Sequence, residues 1–135
     1  MRNLTWWKAP LPIFGALIVG AALLTFSMTA HAHGSVKPKY GGVTQLVGEM
    51  LFELVVSPDG VALYLEDDGN AVPSADMTAK LVLTTDKGKT DVALTPAAGN
   101  KFEGKGVKIA AGSKVIVMIV NKVTQARTGA NITLK

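Results

Sequence analysis

The feature that most constrains the fold is an alternation of apolar residues that stops at a tight turn and resumes after it. In Met50–Val56 (MLFELVV) one face is apolar throughout and the other is mixed, and Val61–Glu66 (VALYLE) alternates in the same way. Period-two alternation is typical of a strand with one buried face. The intervening Ser57–Gly60 (SPDG) favours a turn, because proline fixes φ and Asp-Gly tolerates positive φ. The sequence therefore predicts a β-hairpin.

Comparable strand patterns lie on both sides of this hairpin. A strand is predicted to begin at Val43 and to be broken at Gly48-Glu49. A second hairpin is predicted to join residues 79–84 to residues 90–94, since both alternate and the turn-forming sequence DKGK at 86–89 lies between them. In each strand these patterns place the polar side chains on one face, so the opposite face is expected to be buried.

The last third of the chain completes the predicted sheet. Residues 101–107 are polar and broken by glycine, which favours an edge strand, whereas residues 115–120 are apolar on both faces, as in a central strand covered on both sides. A final strand is predicted within residues 124–134. Seven or eight short strands with turns about every 8 to 12 residues predict an all-β fold, an antiparallel β-sandwich with an immunoglobulin-like Greek key. A small closed barrel is the alternative, because periodicity does not reveal strand pairing.

The N-terminal sequence has the pattern of a secretory signal peptide. Arg2 and Lys8 precede the apolar run Leu11–Phe26, and Ala30-His31-Ala32 matches an A-x-A cleavage site. Cleavage after Ala32 would make residues 1–32 a signal helix that is removed and direct the protein to the periplasm. A membrane anchor is the alternative, since the run approaches the ~20 residues that span a bilayer.

Removal of the signal peptide would change the net charge and the composition of the protein. The formal net charge of +4 would fall to +2, because twelve Lys and Arg residues would face ten Asp and Glu residues. Such a small excess indicates neither nucleic acid nor a membrane as a partner. The remaining chain would divide into a flexible arm, residues 33–42, and one β-domain, residues 43–135. It would hold one histidine and no cysteine, so a non-enzymatic role is expected.

The strongest candidate for chemistry is His33. As an N-terminal residue it would offer its amine and its imidazole nitrogen to one ion, a donor pair that favours Cu(II) among the divalent metals. Two donors do not complete a site, so Asp67, Asp68, Glu66 or a partner molecule would supply the others. The competing interpretation is that His33 only flanks a cleavage site. The acidic residues would then form a solvated turn, or would bind a hard cation such as Ca²⁺ through their oxygen atoms.

Four stretches together resemble a known group of proteins. They are His33-Gly34, Lys37–Val43 (KPKYGGV), Phe52–Val55 (FELV) and Leu63–Asp67 (LYLED). With them the chain resembles small exported bacterial proteins. It also resembles the short β-sandwich module of periplasmic adaptor subunits in heavy-metal efflux pumps of the resistance-nodulation-division type. The resemblance extends over most of residues 33–135 and implies a periplasmic accessory protein of heavy-metal or copper handling, with an efflux adaptor subunit as its partner.

Two functions from different classes follow from these observations. In the first, the protein is a non-enzymatic periplasmic accessory that binds a divalent transition metal through His33, with Asp67 and Asp68 as further ligands. A second resemblance, to periplasmic copper-resistance proteins that begin with a metal-binding histidine, agrees with it. In the alternative, the protein is a metal-free periplasmic module for protein interaction or structure.

Overall fold

A computed structural model describes residues 36–135 of the chain. The predicted signal helix, residues 1–32, and the predicted ligand His33 lie outside the described residues. In chain order the strands are β1 (Val43–Val47), β2 (Met50–Ser57), β3 (Gly60–Asp67), β4 (Asn70–Ala71), β5 (Met77–Thr85), β6 (Gly88–Pro96), β7 (Lys101–Lys105), β8 (Lys114–Asn121) and β9 (Arg127–Thr133). The predicted all-β class is confirmed for this part of the chain.

Helical structure within residues 36–135 is limited to one 3₁₀ turn, Ser74–Asp76. No helix in that range is long and apolar enough to cross a membrane. The buried Ser74 hydroxyl donates a hydrogen bond to the carbonyl oxygen of Ala97 at 2.6 Å. This contact ties the connection before β5 to the loop before β7.

The strands form one continuous hydrogen-bonded order, β1-β2-β3-β7-β6-β5-β8-β9, with β4 added to β3. Every pairing is antiparallel, as predicted. The two end strands, β1 and β9, lie beside each other, so the sheet is nearly barrel-shaped. Two separate sheets in an immunoglobulin-like Greek key are not confirmed. The fold is closer to the small barrel that the sequence left open.

The predicted hairpins are present with short loops. β2 and β3 pair from Met50 opposite Asp67 to Ser57 opposite Gly60. β5 and β6 pair in the same way around a two-residue loop. At the end of β3, Asp68 and Gly69 have φ values of 46° and 78°. Two successive residues with positive φ are typical of the type I′ turn, which explains the Asp-Gly sequence there.

The interior is filled by alternate residues of the strands, as the period-two pattern predicts. The largest fully buried side chains are those of Phe52, Phe102, Leu54, Leu63, Leu65, Leu81, Ile119, Ile132, Val115 and Val117. Burying an aliphatic or phenyl side chain of this size contributes about 1.5–3 kcal/mol. The hydrophobic core therefore provides the main driving force for folding in a chain that has no disulfide bonds.

Two predictions about strand position need correction. The edge strand predicted at residues 101–107 is wrong, because β7 lies between β3 and β6 and Phe102 is fully buried. Polar residues at 101, 103 and 105 indicated one solvated face, which an internal antiparallel strand also has. β8 is central, between β5 and β9, as predicted. Only one of its faces is buried, whereas Ile116, Met118 and Val120 on the other face are half-buried.

Candidate functional site

Residues Val36–Gly42, named here the N-terminal strap, lie against the outer face of β1, β2 and β3. The Thr44 hydroxyl in β1 donates a hydrogen bond to the carbonyl oxygen of Val36 at 2.6 Å. Residues 36–41 are exposed, as expected of an arm. Their backbone and side chains are nevertheless bonded to the two glutamates of this face, Glu53 and Glu66.

Glu53 is the centre of this arrangement. It lies opposite Tyr64 in the pairing of β2 with β3, and only 2% of its surface is exposed. Its carboxylate accepts three hydrogen bonds from strap N–H groups: Lys39 at 2.9 Å, Tyr40 at 2.8 Å and Gly42 at 3.0 Å. A buried carboxylate without donors is unstable, and charge-assisted hydrogen bonds are among the strongest in proteins. Glu53 therefore fixes the strap.

Two side-chain contacts add to this anchor. Lys39 Nζ donates to Glu66 Oε1 at 2.6 Å, and the Glu66 side chain is only 10% exposed. The hydrogen bond to Glu66 and the negative charge nearby raise the pKa of Lys39, while partial loss of hydration opposes that rise. The ring of Tyr40 stacks on the ring of Tyr64, with 3.7 Å between the centroids and 8° between the planes. Lys39 and Tyr40 thus hold the strap against β3.

The two strap glycines meet different geometric requirements. Gly41 has φ of 76°, a left-handed conformation that favours glycine, and no atom lies within 4 Å of where its Cβ would be. At Gly42 a Cβ would lie 2.4 Å from the carbonyl oxygen of Leu54. Gly41 therefore allows the strap to bend, and Gly42 allows its backbone to lie directly against β2.

The sequence stretches KPKYGGV, FELV and LYLED thus meet in one place. Comparisons with protein-family models, with curated proteins and with solved structures find no match to this chain. The roles given to Lys39, Glu53 and Glu66 come from their geometry alone. That geometry is an anchor for the segment that leads into β1.

The predicted ligands Asp67 and Asp68 lie at the end of β3 and in the turn after it, and both are exposed. Glu66 is buried and bonded to Lys39. Because successive strand residues point to opposite faces, Glu66 and Asp67 diverge. Among residues 36–135 no three His, Cys, Asp or Glu side chains form a group that could hold a metal ion. A site that combines Asp67 and Asp68 with His33 stays a prediction.

Residue patterns in the sequence do not identify Glu53 as a site residue. The signal available was a single glutamate inside the apolar run FELVV, on the mixed face of the predicted strand. An isolated charge among buried residues is uncommon unless it is paired or hydrogen-bonded. The isolated glutamate therefore indicates a hydrogen-bonding partner. That partner is the backbone of the strap, and no residue pattern in the strap predicts the contact.

Charges of both signs lie on this side of the molecule, in nearly equal number. Next to β3, Lys101 Nζ donates to Glu103 Oε1 at 2.9 Å, a bond that raises the pKa of Lys101 and lowers that of Glu103. With Lys37, Lys39, Lys105, Glu53 and Glu66, the outer side of β2, β3 and β7 and the strap carry four lysines and three glutamates. Of these charged residues, Lys39, Glu53 and Glu66 hold the strap.

The outer face of β5, β6, β8 and β9, named here the open face, is different. Its centre is aliphatic and half-buried, and within residues 36–135 no segment corresponding to the strap is bonded across it. The residues that line a shallow groove on this face are Thr78, Ala79, Lys80, Val82, Lys89, Ala93, Ile116, Met118, Val120 and Arg127. Met118 extends over Gly129 on β9, where a Cβ would lie 2.9 Å from its Sδ atom. The open face therefore has the composition of a contact surface.

Proposed function

We propose that this protein is a periplasmic, non-enzymatic accessory of heavy-metal or copper handling. After removal of the signal peptide it binds a divalent transition metal, Cu(II) by preference, through the amine and imidazole of His33. The strap supports this proposal, because the chain is hydrogen-bonded to the sheet from Val36 onward. Only His33, Gly34 and Ser35 would precede that anchor. A terminal histidine would thus lie within about 11 Å of Val36, since an extended chain spans at most ~3.6 Å per residue.

The donor chemistry sets what else is required. The amine and the ring of one histidine occupy two coordination positions, and Cu(II) takes further nitrogen or oxygen donors. Glu66 is a poor candidate because it accepts a hydrogen bond from Lys39 at 2.6 Å. Asp67 and Asp68 are exposed, so their carboxylates are open to an ion from solvent. A partner such as an efflux adaptor subunit is the other source of ligands.

A titration with Cu(II) tests this function. The exported, purified protein is compared with a variant that has one alanine inserted between Ala32 and His33, and with a variant carrying Asp67→Asn and Asp68→Asn. The insertion moves the amine away from the imidazole and should weaken binding by about tenfold or more, or about 1.4 kcal/mol. The aspartate variant should bind more weakly than the original only if these carboxylates are ligands.

The result that overturns the metal function is equal binding by the original protein and the insertion variant, or binding by neither. Mass spectrometry of the purified protein supplies an independent test, because the proposal requires a chain that begins at His33. A protein that begins elsewhere has no amine on this histidine and would not form the chelate.

A second function, a metal-free periplasmic module for protein interaction or structure, is favoured by the open face. A continuous aliphatic area on a sheet, surrounded by polar residues, is typical of a contact site. The Cu(II) titration separates the two functions, because a metal-free module gives the same result for all three proteins.

A further inference from the structure

The open face differs from the remainder of the described chain in its charge. Its outward-facing cations are Lys80, Lys89, Lys114 and Arg127, and its carboxylate is Asp91. The excess of three positive charges on this face exceeds the excess of two carried by all residues after Ala32. Lys80 is paired with Asp91 at 2.9 Å. Cationic charge is therefore concentrated around the aliphatic centre.

The centre of this face is formed in register by neighbouring strands. Val82 lies opposite Ile116, Lys80 opposite Met118, and Thr78 opposite Val120. Of the four outward residues of β8, Ile116, Met118 and Val120 form an uninterrupted apolar row. Lateral pairing places this row next to Val82 on one side and next to Gly129 on the other. An occupant of the face would meet apolar side chains along β8, with Lys80 beside Met118 and the other cations toward the ends of the row.

An exposed apolar residue lies in the turn that follows β8. Val123, at the tip of the β8–β9 turn, is 87% exposed. The turn is fixed, because Asn121 Oδ1 accepts hydrogen bonds from the N–H groups of Val123 at 2.9 Å and Thr124 at 3.0 Å. A preorganised contact residue lowers the entropic cost of binding. Val123 is thus an apolar residue held in a fixed turn next to the end of β8.

These features decide between the possible occupants. A second copy bound face to face would bring the same cations together, which is unfavourable. Interfacial membrane binding uses protruding aromatic residues, and the outward residues of these four strands include none. The aliphatic row offers no side-chain hydrogen-bond donor to phosphate groups of nucleic acid. An acidic protein segment with aliphatic side chains matches both the centre and the cationic surroundings.

We propose that the open face is a docking site for an acidic protein segment in which aliphatic residues alternate with carboxylates. The aliphatic residues contact Val82, Ile116 and Met118, and the carboxylates pair with Lys89 and Arg127. This docking does not depend on His33 or on any metal, so it stands whether or not the protein binds Cu(II).

The test uses a short synthetic peptide of alternating leucine and glutamate as the probe. It is titrated into the ¹⁵N-labelled exported protein, and amide shifts are followed by NMR. We expect shifts concentrated in β5 and β8. Replacing Lys89→Glu together with Arg127→Glu should weaken binding at least about tenfold, since two ion pairs are lost and charge reversal adds repulsion. Lys105→Glu with Lys108→Glu makes the same change in net charge away from the open face and should leave binding unchanged.

Several results would overturn the docking site. Equal binding of a serine–glutamate peptide would show that only charge is sensed, and equal weakening by both double variants would show that net charge rather than this face is sensed. Binding of phosphatidylglycerol vesicles or of an oligonucleotide that exceeds peptide binding, and that is lost in the Lys89→Glu, Arg127→Glu variant, would assign the face to lipid or nucleic acid. Both variants replace exposed residues, so folding is expected to be retained.

Discussion

The two outer faces of this sheet bury opposite kinds of residue. On the strap side, the carboxylates of Glu53 and Glu66 are nearly excluded from water, whereas on the open face the aliphatic residues Ile116, Met118 and Val120 remain half-buried. Both sets occupy outward positions of antiparallel strands. The difference arises because the chain supplies hydrogen-bond donors over the first set through its own N-terminal segment. Outward position in a strand therefore does not determine environment, which depends on the segment that lies over it.

The largest expected effect comes from removing the Glu53 carboxylate. Glu53→Ala deprives three strap N–H groups of their acceptor and should lower the free energy of unfolding by about 2–4 kcal/mol. Glu53→Gln retains one acceptor oxygen and should lose about 1–2 kcal/mol. Urea denaturation measures both.

The matched control is the carboxylate of the open face. Asp91 pairs with Lys80 at 2.9 Å, but the two side chains are 60% and 48% exposed. Asp91→Ala should therefore cost at most about 0.5 kcal/mol. Equal losses for Glu53→Ala and Asp91→Ala would contradict the distinction between the two faces.

A smaller effect is expected from closing the space between the strap and β2. Gly42→Ala places a Cβ 2.4 Å from the Leu54 carbonyl oxygen, so the strap must shift, at a cost of about 1–3 kcal/mol. Gly41→Ala meets no neighbouring atom. Its only cost is the left-handed conformation that alanine must adopt, which should lower the free energy of unfolding by about 1 kcal/mol. Thermal denaturation compares the two. Near-ultraviolet circular dichroism reports the Tyr40–Tyr64 stack, which only Gly42→Ala should disturb.

The smallest effect is the pH dependence of the ion pair between Lys39 and Glu66. The pair raises the pKa of Lys39 above its ordinary value of 10.5 in the folded state. Its stabilising effect is therefore fully present below pH 10.5 and is lost as pH rises through the folded-state pKa. The difference in Tm between the original protein and Lys39→Met should be constant from neutral pH to pH 10.5 and should shrink at higher pH.

The corresponding pair on the open face serves as the control for this measurement. Lys80→Met should change Tm less than Lys39→Met at neutral pH, because both partners of the Lys80–Asp91 pair are exposed. Ionisation of the tyrosines affects every variant and cancels in the differences. If Lys80→Met matched Lys39→Met in size, the strap would add nothing to its ion pair.

Local patterns were sufficient for the strands and their turns. The hairpin of β2 with β3, the break at Gly48-Glu49 and the buried face of β9 all follow from alternation and from residues that tolerate turn conformations. The position of β7 did not follow, because one solvated face occurs both in edge strands and in internal antiparallel strands. Periodicity identifies a buried face but not the neighbouring strand.

The candidate site divides in the same way. Alternation placed Glu53 and Glu66 on the mixed face of their strands, and this is where they lie. It gave no indication that Glu66 would be bonded to another part of the chain. Its partner is Lys39, which is 27 residues earlier in the chain. A contact over that distance is not encoded in the local pattern.

The sequence by itself determined the all-β class, the hairpins and the inward side of each strand, because backbone alternation and turn chemistry act between near neighbours. Only the tertiary structure decided the order of the strands, the approach of β1 to β9 and the burial of Glu53 beneath the strap. These features depend on contacts between residues far apart in the chain. Their free energies come from shared packing and hydrogen bonds that form only once the sheet is assembled.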